Sequence, residues 1–572
     1  MARDYPDWPN CAAMMFACAR RYGDRPALWA KRAGAWRATP WREVARQAAA
    51  LARSLRARGV APGDRVVIVS ENRPEFPIAD TAIMALRAIA VPTYTTNTPA
   101  DHAHILRDSG ARVAIVSTAA LARRVLEGAA EAGGLDLLVA IEDPGATGIP
   151  VLRWQEAVAD PSPPDDIEAE AALIPREQTA CLIYTSGTGG APKGVMLPHR
   201  AILSNCRGAF DLLRPLRLED ETYLSFLPLS HSYEHTCGQF FLLSIGTEVF
   251  YSAGADRLAA EMQEVRPTVM TAVPRLFEVI RGRILAQVER EGGVRKRLFD
   301  LALRQGLKRV QGEPLGLLGL VDPLLDRLVR AKVRARFGGR LKGIMSGGAR
   351  LDPEVGRFFL ALGIPVMQGY GQTEAGPVVA ANPPDRIRID TVGLPLPNVE
   401  VRIAEDGEIL VRGELVMQGY WNNEEATRAA IRDGWLHTGD IGTLDADGYL
   451  RITDRKKDFI KTNAGEMVSP ARVEGVLMGQ PGIAQAVVAG DGEAHLVALI
   501  VPAEGADEVA VTLAVEAANK RLAVPERVRR WKLVEPFTIE NGLLTPTQKI
   551  RRPAVLGRYR AAIAGLYRER GA

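Results

Sequence analysis

Eleven consecutive residues, Tyr184-Thr185-Ser186-Gly187-Thr188-Gly189-Gly190-Ala191-Pro192-Lys193-Gly194, carry hydroxyls, glycines and a lysine at high density. Four glycines let a backbone turn tightly and present its N–H groups to an anion. Thr185, Ser186 and Thr188 add hydroxyls that can donate to phosphate oxygens or bind a metal, and Lys193 supplies a compact cation. Lys193 is followed by Gly194 rather than Ser or Thr, so the segment is not a Walker A sequence. It follows the apolar run Cys181-Leu182-Ile183, the context that a phosphate cradle at the end of a strand requires. A second constellation, His231-Ser232-Tyr233-Glu234-His235, spells the H-x-x-E-H pattern of a zinc site. In a helix His231 and His235 would share a face.

The elements that must position these groups read as strand alternating with helix up to about Ser252. Val66–Val69, Val113–Val116 and Ala180–Tyr184 are short apolar runs, and helical periodicity covers Phe76–Ala90. Such runs, separated by amphipathic helices, predict an α/β layered fold with a mostly parallel sheet. Gly343–Met345 and Ile364–Met367 are expected as further buried strands. Each is expected to end in a loop, at Ser346-Gly347-Gly348 and at Gly369-Tyr370-Gly371. Ligands of open α/β sheets sit at the carboxyl ends of strands, so both loops are candidates by position. From about Val392 hairpin signals appear at Asp406-Gly407 and Asp447-Gly448, predicting a compact all-β subdomain. The charged stretch Asp454–Asp458 then precedes a last piece large enough for a small domain.

Composition narrows the class. The chain has 572 residues, several times an ordinary domain of about 150, with 47% hydrophobic and 24% charged residues. A net charge of +4 does not imply nucleic-acid binding. Five cysteines without a CxxC pair argue against a disulfide framework and a structural zinc. The N-terminus lacks signal-peptide features, and no apolar run is long enough to span a bilayer, so a cytoplasmic protein is expected. One region is electrostatically distinct: residues 281–342 hold 16 Lys/Arg against six Asp/Glu, around a nearly apolar stretch, Leu315–Val329. An amphipathic helical hairpin with a solvated basic face accounts for this. A peripheral contact with anionic lipid is the sharper reading, at about 1 kcal/mol per basic residue.

The phosphate segment resembles that of the adenylate-forming superfamily, which includes acyl-CoA synthetases, peptide-synthetase adenylation domains and luciferases. Gly369-Tyr370-Gly371-Gln372-Thr373-Glu374 is similar to the family's aromatic–Gly–x–Thr–Glu motif. Trp435-Leu436-His437-Thr438-Gly439-Asp440 is similar to its Thr-Gly-Asp motif, Asp454–Lys461 to its hinge, and Lys549 stands at its C-terminal lysine. Leu227-Pro228-Leu229-Ser230-His231 and Leu544-Thr545-Pro546-Thr547 look most like the long-chain fatty acyl-CoA synthetase branch. The resemblance implies an α/β chain with a large layered αβαβα-type N-terminal domain (1–454). A β subdomain would occupy about 392–454, with a hinge at 455–460 and a small α+β C-terminal domain at 461–572.

It also implies a chemistry. A carboxylic acid, with a pKa of about 4–5, is already ionised at neutral pH and needs no general base. Its difficulty is repulsion from an anionic triphosphate, so catalysis must consist of cationic screening and alignment. The resemblance implies ATP, Mg²⁺ and coenzyme A as co-substrates and cofactor, with Thr185 and Glu374 as metal ligands and Lys549 as the cation of adenylation. His231 would lie near the acyl group and ATP. Ser186, Gly187, Thr188, Gly189 and Lys193 would cradle phosphates. Gly347, Gly348, Gln368, Gly369, Tyr370 and Thr373 would meet the nucleotide. Asp440 would accept from the ribose hydroxyls, with Arg455, Lys457 and Lys461 nearby. Rotation about Lys457 would withdraw Lys549 and bring Gly465 to the pantetheine of coenzyme A. Gly189 departs from the family's usual Thr-Thr-Gly spelling and removes one hydroxyl. The acyl pocket is expected around Phe240–Tyr251 and Val273–Phe277.

The expected reaction is ligation of a medium- or long-chain fatty acid to coenzyme A, releasing AMP and pyrophosphate. Loading of a carrier-protein phosphopantetheine and an inactive nucleotide-binding scaffold are the alternatives. The oligomeric state, a dimer included, is left open.

Overall fold

The computed structural model describes residues 4–185, 191–254, 256–456, 460–463, 466–545 and 550–568. Three sheets make up the chain before residue 456. The first, of eight strands, runs in the order Gly419–Tyr420, Lys193–Pro198, Thr179–Thr185, Ile89–Thr93, Arg65–Val69, Val113–Val116, Leu137–Ala140 and Val151–Arg153. The five central and far strands from Ile89 to Arg153 run parallel, as their unbroken Val/Ile/Leu/Ala runs require of strands buried on both faces. The second sheet, of nine strands, has Val366–Gly371, Gly343–Ser346, Val269–Ala272 and Thr222–Ser225 as its parallel centre.

The two large sheets share a core. Val66, Ile68, Ala90 and Cys181 from one and Tyr223, Val249 and Tyr251 from the other belong to a single buried cluster with helices Cys11–Tyr22, Trp41–Arg56 and His199–Leu212. Helix Glu75–Ala85 is buried at every position, as a helix sandwiched between layers must be. A second apolar cluster covers the outer face of the first sheet with Pro99–Ser109 and Ala119–Ala132. A third covers the second sheet with Pro274–Glu291, Gly293–Val310 and Pro353–Ala361. This is the expected α/β/α/β/α layering. After residue 460, strands Ile483–Ala489, Leu496–Pro502 and Val528–Leu533 build a small three-stranded sheet with its own core against Pro470–Met478 and Glu508–Lys520. A large N-terminal and a small C-terminal domain result.

Four expectations change in detail. The helix predicted over Phe76–Ala90 ends at Ala85; Arg87 adopts a positive φ of 60°, and Ile89–Thr93 becomes a central parallel strand. The β-branched residues after that turn pair on both sides, so sheet burial outweighs helical periodicity. Gly369-Tyr370-Gly371 is not a loop: it continues the Val366 strand and pairs antiparallel with Val378–Ala381. The region from Val392 is not all-β, because helix Glu424–Ala430 interrupts it and Gly419–Tyr420 joins the eight-stranded sheet through Lys193–Pro198. The basic region does form a helical hairpin, turning at Gly292 and Gly293 with φ of 55° and 54°. Its charges are not all solvated, however: Arg330 is fully buried against Asp322, and Arg334 pairs with Asp326. All five cysteines are free, four of them buried. No helix among the described residues is long and apolar enough to cross a membrane.

Candidate active site

The carboxyl ends of the second sheet's strands open onto a cavity of about 1750 Å³. It gathers Thr185, Lys193, His231, Gly347, Gly348, Gln368, Gly369, Tyr370, Thr373, Glu374, Asp440 and Arg455 into one lining. These residues lie as far apart in sequence as 185 and 455. Only the strand order brings them together.

The paired strands Thr179–Thr185 and Lys193–Pro198 are held from outside. Thr185 ends one strand and lies opposite Lys193 on the next. Tyr184 donates to Asp108 at 2.6 Å, and Trp421 Nε1 and Asn422 Nδ2 donate to the Asp108 carbonyl at 3.1 and 3.0 Å. A Cβ at Gly194 would come within 3.1 Å of the Tyr184 ring, so the hairpin closes tightly on that tyrosine. Lys193 Nζ lies 4.9 Å from the centre of the Tyr420 ring, a cation–π contact. The Tyr420 hydroxyl donates to Glu374 at 2.8 Å. Tyr420 thus ties the lysine of one motif to the carboxylate of another, and burial together with Glu374 pushes its phenol pKa up. The sequence reading missed Tyr420. Its pairing to Lys193–Pro198 is a long-range contact with no local signature.

The opposite wall holds an aromatic ring and a carboxylate. Tyr370 donates to Asp440 Oδ2 at 2.5 Å, and Arg455 Nε lies 3.1 Å from Asp440 Oδ1. Register explains the second contact, since Asp440 and Arg455 are direct partners on adjacent antiparallel strands. Burial first, and the Asp440 charge second, hold the Tyr370 phenol far above its ordinary range, so it stays a donor. The turn preceding Asp440 is fixed by a buried carboxylate. Glu408 accepts from Gly439 N at 2.9 Å and contacts His437 Nδ1 and Lys456 Nζ at 3.1 Å each. Burial works to raise the Glu408 pKa, but these three hydrogen bonds outweigh it and hold the group below its usual value.

Between the walls, Gly347 lets the backbone pass the Tyr233 ring, where an added Cβ would sit 2.9 Å from the ring carbon Cζ. Tyr233 in turn donates to the Met345 carbonyl at 2.8 Å. Gln368 is spent on structure: its Oε1 accepts from Leu351 N at 2.7 Å and its Nε2 donates to Thr391 O at 3.0 Å. Thr373 shares a hydrogen bond with Ser232 at 2.9 Å. His231 faces the cavity, its Nδ1 accepting from Tyr233 N at 3.2 Å. That bond assigns the proton of the neutral ring to Nε2.

The zinc-like pattern does not converge. His235 is fully buried with Nε2 2.9 Å from Asp80, away from the cavity that His231 lines. Glu234 is also fully buried, accepting from Ser225, Tyr223 and Thr271 at 2.6, 2.7 and 2.7 Å. Burial raises its pKa to about 7 despite those hydroxyls. Glu234 and His235 open a π-helix, Glu234–Phe241, whereas His231 precedes it, its carbonyl accepting from His235 N at 2.9 Å.

From the Tyr233 end the cavity continues as an apolar channel between Leu212, Leu213, Leu216, Phe241, Val269 and Met367. Most of the residues expected around an acyl pocket, Phe240–Tyr251 and Val273–Phe277, do not line this channel. Phe240, Tyr251 and Phe277 are packed into the core at 1%, 3% and 0% exposure, and of that set only Phe241 and Leu242 reach the lining. Sequence hydrophobicity alone does not separate a core phenylalanine from a channel wall.

Lys461 is not brought to the cavity; it is exposed, and its main chain bonds Asp491 and Gly492. Ser186, Gly187, Thr188, Gly189, Lys457, Gly465 and Lys549 lie outside the described residues. Thr545 and Ile550, on either side of the segment containing Lys549, both line the cavity.

Comparison with known proteins gives these features a family. The profile of the "AMP-binding enzyme" family matches residues 15–421, and that of the "AMP-binding enzyme C-terminal domain" matches residues 457–571. The long-chain-fatty-acid–CoA ligase FadD15 of Mycobacterium tuberculosis is 34% identical, with 98% of this chain and 97% of that protein aligned. The peroxisomal long chain acyl-CoA synthetase 6 of Arabidopsis thaliana is 31% identical over 91% of this chain and 80% of its own. Among solved structures, the anthranilate CoA ligase AuaEII in complex with anthranoyl-AMP superposes with a TM-score of 0.77 at 23% identity, covering 98% of this chain and 99% of that one. AMP-binding ligases of this kind use ATP and coenzyme A. The chain belongs to the AMP-binding enzyme family, as an acid–thiol ligase of the long-chain-fatty-acid–CoA ligase kind.

Proposed function

We propose that this cavity activates a long-chain fatty acid with ATP and passes the acyl group to coenzyme A. In the first step a carboxylate oxygen bonds to the α-phosphorus, the bond to the β-phosphate oxygen breaks, and pyrophosphate leaves. In the second the coenzyme A sulfur attacks the acyl carbon, the bond to the phosphate oxygen breaks, and AMP leaves. The carrying observation is the continuity of one cavity from the polar end at Asp440 and Glu374 to the apolar channel at Leu216 and Met367. An anionic head and an apolar tail both find matching walls there.

In this reading Tyr370 lies against the adenine, Gly347 and Gly348 admit the nucleotide edge, and Gly369 and Thr373 complete the contact. Gln368 acts by holding the Leu351 and Thr391 backbone in place. Asp440 accepts from the ribose hydroxyls as a charge-assisted partner, and Arg455 balances its charge. Lys193, together with Ser186, Gly187, Thr188 and Gly189, receives the phosphates. Thr185 and Glu374 offer a hydroxyl and a carboxylate on the same wall, hard oxygen donors suited to Mg²⁺; the ion when bound would neutralise phosphate charge. Lys549 reaches the reacting carboxylate and α-phosphate from the segment between Thr545 and Ile550. His231 presents its ring beside the acyl end.

The domain boundaries proposed from the sequence, 1–454, 455–460 and 461–572, place Lys457 as pivot and Gly465 as the pantetheine contact of the second step. Pyrophosphate release measured across straight-chain acids of graded length, with and without coenzyme A, tests the function. Release with long-chain acids and thioester formation with free coenzyme A are expected. No release with any acid would overturn the reading, and turnover that requires a carrier protein would reassign the acceptor.

A further inference from the structure

One helical run carries leucines on its exposed side as well as on its buried one. Gly316–Val321, Asp322–Leu325, Asp326–Arg330 and Ala331–Arg336 follow one another without a break. Its inward side packs Leu325 and Val333 into the core and also buries Arg330, which donates to Asp322 at 2.7 Å and to the Ala302 carbonyl at 2.8 Å. Its outward side is apolar. Leu317 is 88% exposed, Leu320 83%, Leu324 55% and Leu328 40%, at spacings that align them on one helical face. A soluble surface scatters single leucines, but four exposed leucines in line on one face call for a cover.

The charges around this face say what the cover is. Arg327 and Lys332 flank the leucines on the same run, and exposed Arg304 and Lys308 lie on helix Gly293–Val310 packed beside it. None of these four has an ion-pair partner among the described residues. Of the carboxylates between 304 and 332, Asp322 and Asp326 are already held by arginines, leaving Glu313 alone. Exposed leucines bordered by unpaired cations are the pattern of a helix that lies in a lipid–water interface, with its apolar face among acyl chains and its cations at phosphates.

We propose that the Gly316–Arg336 face docks on an anionic bilayer, with Leu317, Leu320, Leu324 and Leu328 inserted and Arg327 and Lys332 at the headgroups. The docking is independent of turnover. A bilayer-bound enzyme would meet acids of low aqueous solubility where they concentrate.

The test is co-sedimentation of the full chain with vesicles of phosphatidylcholine alone or mixed with phosphatidylglycerol, at low and high salt. The natural chain should pellet with the mixed vesicles at low salt. The L317E/L320E/L324E variant should bind at least tenfold more weakly, with an unchanged melting temperature that establishes folding. R327E/K332E should lose the preference for phosphatidylglycerol and most of the salt dependence. Absence of pelleting with mixed vesicles at low salt, or equal binding by the leucine variant, would overturn the proposal. So would a concentration-dependent dimer that the leucine substitutions abolish without any vesicle binding, which would assign the face to a second copy of the chain.

Discussion

Lys193, Tyr420 and Glu374 form a relay in which each group restrains the next: a cation over a ring, and that ring's hydroxyl on a carboxylate. In the proposed reading Lys549 is the cation that follows the reacting charge, and Thr545 and Ile550 on either side of its segment line the cavity. Replacement of Lys549 by Ala should lower acyl-adenylate formation by about 10²–10³-fold, the scale of one lost transition-state electrostatic contact. Thioester formation from supplied acyl-adenylate should be nearly unchanged. Single-turnover assays of the two half-reactions check this, and equal loss of both would remove Lys549 from the adenylation step. Glu234 makes a different kind of prediction. Its pKa of about 7 lies above the unfolded value, so the folded chain keeps a proton there that the unfolded chain has released. Stability therefore falls as pH rises from about 4.5 to 7 and levels off above, by on the order of 3 kcal/mol. Glu234→Gln cannot ionise and should flatten that slope. Melting temperatures of both proteins between pH 4.5 and 8 measure it, and parallel profiles would refute it.

Strands set the dimensions of the site. The parallel strands Gly343–Ser346 and Val366–Gly371 deliver glycines to the polar end of the cavity and leave a space at Gly343 on the channel end. A Cβ at Gly343 would stand 2.4 Å from Met367 Cε and 3.5 Å from Leu216 Cδ1. Met367, which lines the channel, has a flexible end that can swing aside into it. Gly343→Val should then exclude about two methylenes of the acyl chain, at about 0.8 kcal/mol each. The longest accepted acids should lose roughly tenfold in kcat/KM, by the same arithmetic, with short acids little affected. A chain-length series on both proteins reads this directly; uniform loss across lengths would mean that Gly343 does not border the acyl tail. The π-helix Glu234–Phe241 acts at the same scale. It seats Gly238 over the Glu234 carboxylate, where a Cβ would come within 2.4 Å, and turns Phe241 toward the channel.

Across the whole molecule the two domains hold separate cores, one group of clusters up to Leu450 and another from Ile460 onward. Yet the cavity is lined from both, by Asp440 and Tyr370 on one side and by Leu544, Thr545 and Ile550 on the other. Separate cores joined by a short charged stretch permit rigid-body rotation without loss of packing. Lys457→Pro, which restricts backbone rotation at the pivot, should leave pyrophosphate release intact and lower thioester formation at least tenfold. Coenzyme A-dependent turnover measured beside pyrophosphate exchange decides it; a variant that still makes thioester at the natural rate would refute the hinge.

Much of this was legible before any coordinates. Glycines, hydroxyls and Lys193 in one short segment point to an anion site, a reading that stands as a proposal, because backbone donors and a cation so close together have few other uses. Apolar runs of Val, Ile and Ala announce parallel strands, because only a sheet covered on both faces buries them. What the sequence left open is everything that depends on contacts between distant segments. Tyr420 reaches Lys193 only through a two-residue strand pairing, the channel wall falls on Leu212–Leu216 rather than on Phe240 and Phe277, and of the two histidines in the zinc-like pattern one turns into the core against Asp80 while the other faces the cavity. Local chemistry is written in residue type and spacing. Which side of a packed layer a residue faces is decided by the layers that close over it.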